Sequence, residues 1–535
     1  MTQDHTPLPT SRAALLARLE EARTYDLAVI GGGATGLGVA LDAAARGFSV
    51  VLVESHDFAK GTSSRATKLV HGGVRYLAQG NIALVREALH ERTTLLRNAP
   101  HLAQPLAFVM PSYRCWEAPF YGVGLKMYDA LAGSAGLGAT EFLGVQRTLQ
   151  CLPTVRPDGL KGGVKYWDGQ FDDARLALAL ARTAARHGAL LVNYCAARKL
   201  VHEGGKVSGL LCEDTESGKA YKISARCVVN ATGVWVDALR QQDSEAGNRP
   251  VRPIVAPSQG VHVVVDQEFL PTDHALMVPK TADGRVLFAV PWLGKVILGT
   301  TDSPRNDLDR EPEPFAHELQ FILGESARYL RRAPGPGDIR SIWVGLRPLV
   351  KPEDDDGNNT KSLSREHTVL VSRSGLVTVT GGKWTTYRAM AEDVLDKCFE
   401  KGLLPERPAG ATLRLPLVGT PDGPVQHRMC DAQGWHSYGS EEAYVRSLPG
   451  AQTQLGGQVS EAMVRFAARY EYARTVEDVL ARRRRVLFLD ARLAASLAPE
   501  VARILQEETG ADPGLEAFLR LAERYVTLPS AQAAA

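Results

Sequence analysis

The chain has 535 residues, of which 44% are hydrophobic and 23% charged, and its formal net charge is +2. This length predicts two or three domains with more than one core, and the balance of acidic and basic residues argues against nucleic acid as a partner. The seven cysteines are scattered and form no CxxC pair, which argues against a disulfide framework or a structural metal site and indicates reduced thiols.

The N-terminal part of the chain carries no secretory signal. Ser11–Glu21 is predicted to form a short capped amphipathic helix interrupted by charges. No segment has 18 consecutive apolar residues, so we expect no helix that spans a bilayer. Any association with a membrane is therefore expected to be peripheral.

Strands and helices alternate from Tyr25 to about Met110, which predicts a mostly parallel sheet. A helix is predicted over Asn81–Asn98 and another over Arg175–His187, whereas 111–163 is predicted to be irregular. The strand-rich part 251–350 has the composition of an antiparallel sheet.

The amino-acid composition and the predicted secondary structure change after residue 405. Pro408–Pro424 is predicted to be a Pro/Gly-rich linker, and the rest of the chain is predicted to be helical, with a disordered Ala-rich tail at 531–535. We therefore expect a first unit that ends near residue 400 and a helical domain after it.

The run from Tyr25 to Gly38 is the most informative part of the chain. A buried apolar strand is followed by Gly31, Gly33 and Gly36, and a second strand ends in Glu54, 18 residues beyond Gly36. Glycines at this spacing permit a tight turn, close approach of a pyrophosphate and close helix–strand packing, and the carboxylate suits a ribose 2′-hydroxyl. The unit therefore predicts an adenine dinucleotide and argues against a 2′-phosphate.

Later segments decide between the dinucleotides NAD and FAD. Cys227–Gly233 is a buried strand that ends in small residues, and Leu376–Arg388 repeats the pattern of strand, glycines and helix. A nicotinamide cofactor needs no element so late in the chain, whereas a flavin extends across the sheet. The polar, glycine-rich stretch Gly61–Tyr76 suits a pyrophosphate and a flavin edge. Together these segments favour FAD.

Five motifs resemble those of the FAD-dependent glycerol-3-phosphate dehydrogenases. They are Gly31-Gly-Gly-Ala-Thr-Gly36, Thr67-Lys-Leu-Val-His-Gly-Gly-Val-Arg-Tyr-Leu77, Gly299-Thr-Thr-Asp302, Gly345-Leu-Arg-Pro348 and Gly381-Gly-Lys-Trp-Thr-Thr-Tyr-Arg388. The likeness extends from about residue 20 to beyond 490. The second motif is highly specific to that family, whereas GxGxxG is widespread.

The resemblance implies a fold and its boundaries. We expect a Rossmann-type FAD-binding domain with an antiparallel-sheet substrate domain, similar to glutathione reductase and D-amino-acid oxidase, and an all-α C-terminal domain. The oxidoreductase would occupy 20–400, with FAD-binding parts at about 20–110, 150–250 and 345–400 and substrate or cap parts at about 111–150 and 251–345. The helical domain would occupy 405–535.

The resemblance also implies the reaction and its residues. The expected reaction is oxidation of sn-glycerol 3-phosphate to dihydroxyacetone phosphate with reduction of FAD. His262 is the candidate base for the 2-hydroxyl, and Arg347 would lie beside the flavin and stabilise developing alkoxide. The predicted substrate-binding residues, most of them cations that suit a phosphate, are Arg75, Tyr76, Arg347, Arg365 and Lys383.

The cofactor contacts are predicted in three groups. The AMP half would be bound by Gly31, Gly33, Ala34, Thr35, Gly36 and Glu54, with Ala197 beside the adenine. The pyrophosphate and the flavin would be served by Ser63, Ser64, Lys68, His71, Gly72, Thr232 and Gly233. The far end of the flavin would be lined by Gly382, Lys383 and Thr385.

The resemblance further implies a respiratory quinone as electron acceptor and a cytoplasmic protein bound peripherally to the inner face of the cytoplasmic membrane. Tyr113–Tyr121, with Lys126, mixes aromatic residues and cations as interfacial segments do, although the same residues could pack over the flavin. Arg482–Arg485 could meet anionic headgroups, but a run of charges is usually a solvated helix face. The sequence leaves the oligomeric state open, a homodimer included.

Three other readings stay open at this point. A soluble α-glycerophosphate oxidase would share the fold and the site but pass electrons to O₂, and those enzymes usually carry an insertion that we do not see in this sequence. An amine or amino-acid oxidase of the same fold would not need several cations in its substrate pocket. A flavin-binding sensor would bind the cofactor without turnover.

Overall fold

The computed structural model describes residues 6–73, 81–246, 250–281, 284–351 and 366–529. Its strands, in chain order, are β1 Thr24–Ile30, β2 Val50–Val53, β3 Leu69–Val70, β4 Ala103–Ser112, β5 Glu141–Leu143, β6 Gly162–Phe171, β7 Leu190–Val192, β8 Cys195–Glu203, β9 Lys206–Asp214, β10 Ala220–Asn230, β11 Val255–Asp266, β12 His274–Val278, β13 Leu287–Trp292, β14 Lys295–Gly299, β15 Ser303–Pro304, β16 Ser341–Val350, β17 His367–Val371, β18 Leu376–Gly381, β19 Gln454–Gly456 and β20 Val459–Ser460.

The helices surround these strands and continue beyond them. In chain order they are α1 Arg12–Leu19, α2 Ala34–Ala45, α3 Ile82–Asn98, α4 Glu117–Ala132, α5 Val145–Cys151, α6 Asp173–Arg186, α7 Val236–Ala246, α8 Ala316–Tyr329, α9 Tyr387–Glu400, α10 Glu442–Ser447, α11 Glu461–Tyr470, α12 Val486–Leu489, α13 Ala491–Thr509 and α14 Leu515–Arg524. In the described part of the chain, no helix combines the length and hydropathy required to cross a bilayer.

The first sheet is largely parallel, with strand order β17–β18–β10–β1–β2–β7. β1 pairs in parallel with β2 and with β10, and β10 pairs in parallel with β18. Their apolar sequences fit this position, because helices α2, α6 and α9 contribute to the core on this sheet and strands of parallel sheets are buried on both faces. The parallel sheet predicted from the alternating pattern is therefore present.

The second sheet is mainly antiparallel, with strand order β15–β11–β14–β13–β12–β4–β6–β3, and β16 pairs with β11. The sheet predicted for 251–350 is confirmed, but β3, β4 and β6 also belong to it. The second sheet therefore includes strands from stretches of the chain before residue 251. Long apolar strands alone do not tell which of two sheets they join.

The prediction of irregular structure over 111–163 is wrong. This stretch contains α4 and α5, which flank the short strand β5. Gly122 and Gly124 lowered the expected helicity of α4, since glycine weakens a helix interior. A Cβ on Gly122 would overlap the ring of Phe142, so close packing against β5 accounts for that glycine.

The arginine run Arg482–Arg485 is buried, which contradicts both a solvated helix face and a headgroup site. It lies in and after a π-helical turn at Asp478–Arg483. Arg482 and Arg483 pair with the buried carboxylate of Asp57, and Arg485 Nη2 lies 3.1 Å from Asp173 Oδ1. These carboxylates are hundreds of residues away in sequence, so the burial and pairing of the arginines could not be predicted from the run alone.

Candidate functional site

A cavity of about 660 Å³ is lined by residues of both sheets, at the carboxyl ends of β1 and β10. Its volume lies in the range of ligand pockets, and its place at the ends of parallel strands is where α/β folds bind ligands. The predicted residues found in its wall are Gly31, Gly33, Ala34, Thr35, Glu54, Ser63, His71, Ala197, Thr232, Gly233, His262, Arg347, Gly382, Lys383 and Thr385.

The turn between β1 and α2 requires its glycines. Gly31 has φ +114°, and a Cβ there would lie 2.5 Å from the carbonyl oxygen of Ala231. A Cβ on Gly36 would overlap the carbonyl oxygen of Gly31, so Gly36 brings the helix against the turn rather than lining the cavity. Gly33 is the N-cap of α2 and has no side chain to cap it. No N-cap side chain therefore stands between an anion and the start of the helix, although the N–H of Ala34 is already bonded to Ser63 Oγ.

Glu54 is held in a fixed position at the end of β2. One carboxylate oxygen accepts a hydrogen bond from the N–H of Gly32 at 2.7 Å, and the other accepts one from the N–H of His56 at 2.9 Å. Ser55 Oγ also donates to the second oxygen, at 3.1 Å. A carboxylate has about four acceptor positions, so one remains that can accept a hydroxyl of a ribose. Ala197 lies in the same wall, where an adenine would have to fit against a small side chain.

The polar loop after β2 is tied to both neighbouring elements. Ser63 Oγ accepts a hydrogen bond from the N–H of Ala34 at 2.9 Å, at the start of α2. Trp384 Nε1 donates to the carbonyl oxygen of Ser63 at 2.9 Å, and Thr385 Oγ1 donates to that of His71 at 3.4 Å. The early and the late glycine-containing segments therefore form one continuous wall.

The structure does not bring every predicted cofactor residue into this wall. Lys68 is fully buried, and Nζ donates to Asp173 Oδ2 at 2.7 Å and to the carbonyl oxygen of Ser64 at 2.8 Å. The N–H of Gly72 donates to Tyr128 Oη at 2.8 Å. Lys68, Ser64, Gly72 and Gly36 are thus not among the residues that line the cavity, and their contact with a cofactor stays a prediction.

His262 lies on β11 and lines the cavity. Its ring stacks on Trp343 with centroids 4.1 Å apart, and Nε2 is 3.0 Å from Thr67 Oγ1. Nδ1 is shielded from solvent and has no hydrogen-bond partner among the described residues. Burial, with smaller effects of Lys68 and Arg347, lowers the pKa of His262 well below 6.5, so the imidazole is neutral near pH 7.

Arg347 lies on β16 and lines the same cavity as His262. Nη2 donates to the carbonyl oxygen of Thr301 at 2.9 Å, Nη1 donates to that of Gln259 at 3.1 Å, and Asp302 lies 3.3 Å from Nη1. A Cβ on Gly260 would overlap the guanidinium, so this glycine makes room for it. The guanidinium is thus fixed before any ligand binds, which lowers the entropy lost on binding.

Three predicted substrate residues, Arg75, Tyr76 and Arg365, lie outside the described residues, and their roles stay predictions. Lys383 lies in the cavity wall. Sequence reasoning missed Thr67 and Trp343, which position His262, although Thr67 begins the most specific of the five motifs. It also missed Arg310, which reaches the cavity wall from the loop before α8 and packs on Trp235, 4.6 Å from the ring centroid.

The site fits an FAD molecule. The wall of this one cavity contains the glycine turn after β1, the glycines Gly233 and Gly382, and the side chains of His262 and Arg347. Gly233 and Gly382 have φ values of +62° and +72°, which favour glycine, and a Cβ on Gly33 would meet only Ser63 Oγ, at 3.1 Å. The backbone is therefore accessible where a pyrophosphate and a ribityl chain would lie.

Comparisons with known proteins agree with this site. Residues 26–388 match the model of the FAD dependent oxidoreductase family, and residues 412–514 match that of the C-terminal domain of alpha-glycerophosphate oxidase. The mitochondrial glycerol-3-phosphate dehydrogenase of Rattus norvegicus is 42% identical over 94% of this chain and 72% of its own length. The corresponding protein of Schizosaccharomyces pombe is 37% identical over 94% of this chain and 87% of its own length.

The solved structures lead to the same family. A glycerol-3-phosphate dehydrogenase from Bacillus halodurans complexed with FAD has a TM-score of 0.76 and 29% identity, covering 96% of this chain and 98% of its own. An L-alpha-glycerophosphate oxidase from Mycoplasma pneumoniae with FAD bound has a TM-score of 0.56 and 16% identity, covering 73% and 98%, and shares the fold. With the glycine turn, the cavity and the His262–Arg347 pair in place, this chain belongs to the FAD-dependent glycerol-3-phosphate dehydrogenases.

Proposed function

We propose that this chain oxidises sn-glycerol 3-phosphate to dihydroxyacetone phosphate with FAD and that a respiratory quinone reoxidises the cofactor. One observation carries the proposal: a single cavity joins a dinucleotide-binding turn to a buried neutral imidazole, the fixed guanidinium of Arg347 and Lys383. An amine or amino-acid oxidase would share the turn but would not need Arg347 and Lys383 in the same wall.

Each of these groups has a distinct role in the proposed reaction. When bound, FAD supplies the acceptor for the hydride that leaves C2 of the substrate. His262 takes the proton of the 2-hydroxyl at Nε2, because Nδ1 is shielded whereas Nε2 bonds the hydroxyl of Thr67, which lines the cavity. Arg347 and Lys383 attract the phosphate and the developing alkoxide through charge-assisted hydrogen bonds.

Anaerobic titration with glycerol 3-phosphate, followed by the visible absorbance of the flavin, tests the proposal. We expect the substrate to bleach the wild-type flavin. Arg347→Ala should raise the substrate concentration at half-effect by about 10- to 100-fold, since a hydrogen bond to a charged group contributes about 1.5–3 kcal/mol. His262→Gln should instead slow the reduction by about 10²- to 10⁴-fold with little change in substrate affinity.

Two outcomes would contradict the proposed function. Bleaching by an amino acid and not by glycerol 3-phosphate would favour the amino-acid oxidase. A high yield of peroxide in air, with poor reduction of a quinone analogue, would favour the glycerophosphate oxidase. Normal substrate affinity of Arg347→Ala would show that the phosphate binds elsewhere.

For attachment to the inner face of the cytoplasmic membrane, we propose the outer face of α4. Trp116, Phe120, Val123 and Met127 follow one another at helical spacing and are 53%, 68%, 61% and 53% exposed, and Phe142 beside them is 51% exposed. We call these five residues the α4 patch. None of them lines the cavity, and a contiguous exposed apolar face of this kind marks an interaction site.

The charges beside the α4 patch indicate its partner. Lys126 lies on α4 with Nζ 5.9 Å from the ring centroid of Phe142, and Arg114 precedes the helix. Aromatic residues with flanking cations suit the boundary between acyl chains and anionic headgroups. An anionic lipid surface is therefore the occupant that the patch fits, and proximity to lipid would supply the quinone.

Co-sedimentation with vesicles that contain anionic phospholipid tests this attachment. We expect the double variant Trp116→Ser/Phe120→Ser to stay in the supernatant while it keeps wild-type reduction of a soluble dye. Leu519→Ser, which changes a 38% exposed leucine on α14, is the matched control and should sediment like wild type. Equal sedimentation of all three proteins would contradict the proposal, as would a concentration-dependent dimer that the double variant abolishes.

A further inference from the structure

Lys68 occupies an unusual position just behind the cavity wall. Its backbone has φ +65°, in the left-handed region that a non-glycine residue seldom adopts, and its side chain is wholly buried. The ammonium donates to Asp173 Oδ2 and to the carbonyl oxygen of Ser64. Such a costly arrangement persists only where surrounding structure imposes it, and it is enriched at functional sites.

The ammonium of Lys68 shares an aromatic neighbour with His262. Nζ lies 4.6 Å from the ring centroid of Trp343, 5.2 Å from that of Trp292 and 5.4 Å from that of Phe488. The His262 imidazole stacks on the same Trp343 at 4.1 Å. Thr67, the residue before Lys68, bonds His262 Nε2. The ammonium of Lys68 and the imidazole of His262 therefore lie close together in one buried aromatic cluster.

The charges around this cluster are few. Arg347, with Asp302, faces His262 from β16 and the adjacent loop, and Lys68 faces it from behind. Behind Lys68 lie Asp172, Asp173 and Arg485, and the arginine pairs with both carboxylates. Burial lowers the pKa of Lys68 to about 7, although Asp173 opposes this shift.

We propose that the buried ammonium of Lys68 adds to the effect of burial in keeping His262 unprotonated, so that its imidazole stays available as the base for the substrate hydroxyl. The inference rests on the proposed function. If both groups carried a proton, two positive charges would share a desolvated cluster with the guanidinium of Arg347. As the pH falls, the proton therefore goes to Lys68 rather than to His262. Lys68 is thus a positioning residue that acts through His262.

The test is the pH dependence of flavin reduction by glycerol 3-phosphate, measured anaerobically by stopped flow between pH 5 and 9. For wild type we expect a rate that stays constant from about pH 8 to pH 6. Lys68→Gln, which keeps a hydrogen-bonding side chain but loses the charge, should move the acid limb upward, toward the free-histidine value near 6.5 at most, because burial and Arg347 still act on His262. The rate at pH 6 should therefore fall by up to about fourfold relative to pH 8. Lys68→Arg should keep the wild-type profile.

Several results would overturn the inference. One is a wild-type acid limb centred near pH 6.5, which needs no variant to observe. Another is a Lys68→Gln profile that coincides with the wild-type profile. A third is a change in the pH profile when Lys68→Gln is added to His262→Gln, because Lys68 is proposed to act only through the protonation of His262. If glycerol 3-phosphate reduces no flavin at any pH, the proposed function itself fails.

Discussion

Gly31 and Gly33 lie two residues apart in the turn before α2. The structure predicts that alanine at Gly31 lowers the stability of the protein, whereas alanine at Gly33 weakens FAD binding. At Gly31 a methyl group would lie 2.5 Å from the carbonyl oxygen of Ala231, about 0.8 Å closer than an ordinary contact, and the φ of +114° is unfavourable for alanine. Overpacking costs about 1–3 kcal/mol and a left-handed backbone about 1–2 kcal/mol. Gly31→Ala should therefore lower the free energy of unfolding by about 2–5 kcal/mol, even without cofactor.

Gly33→Ala should leave the free energy of unfolding of the apoprotein almost unchanged. Its φ is −85°, which alanine adopts readily, and the new methyl group would meet only Ser63 Oγ, at 3.1 Å. A shift of Ser63 by a few tenths of an ångström relieves this contact and keeps its hydrogen bond to Ala34. The methyl group would, however, occupy the part of the cavity wall where the pyrophosphate lies against the backbone. A steric cost of about 1–3 kcal/mol then lowers FAD affinity by about 10- to 100-fold.

Thermal unfolding of the two apoproteins and FAD titration by flavin fluorescence separate these effects. The expected pattern is a lower Tm for Gly31→Ala and a wild-type Tm with weak FAD binding for Gly33→Ala. If Gly33→Ala binds FAD as tightly as wild type, the cofactor does not approach the backbone at this turn. If Gly31→Ala unfolds at the wild-type temperature, the turn has more room than its geometry indicates.

Two further predictions concern stability. Asp57→Asn leaves Arg482 and Arg483 in the interior without their shared carboxylate, so chemical denaturation should show a loss of about 3–5 kcal/mol in the free energy of unfolding. Burial, with Arg175 next, lowers the pKa of His101 to about 3, whereas an unfolded histidine titrates near 6.5. The unfolded chain binds this proton first, so stability falls by up to about 1.4 kcal/mol per pH unit below pH 6.5, and His101→Gln should flatten that decline in pH-dependent melting curves.

The nucleotide-binding half was predictable from sequence because its determinants are local. Gly31, Gly33 and Gly36 act within one turn, and Glu54 ends the strand beside it, so their spacing alone encodes the geometry. The late segment at Gly382 could be placed because it repeats the same pattern. Its hydrogen bond from Trp384 to Ser63 then joins segments more than 300 residues apart.

Residues whose role depends on distant partners could not be placed in this way. Lys68 stands in a motif that was expected to touch the cofactor, but its ammonium is bound by Asp173, which begins α6. Likewise α4 was missed because its outer face is apolar and its sequence lacks the polar stripe of an ordinary surface helix. For Lys68 and for α4, the local sequence pattern gave the composition of the segment but not the residues or surface that it contacts.

The buried arginines change the view of the C-terminal part as an appended domain. Arg485 Nη2 donates to the carbonyl oxygen of Ser64 at 2.7 Å, the same oxygen that accepts from Lys68, and so supports the cavity wall from behind. Arg482 and Arg483 bind Asp57, which follows β2 and Glu54. A chain cut near residue 400 would leave the buried carboxylate of Asp57 without the two arginines that pair with it and the carbonyl oxygen of Ser64 without one of its two donors, at a cost of several kcal/mol. The flavin site and the helical part must therefore fold as one unit, although the sequence divides them at a Pro/Gly-rich linker.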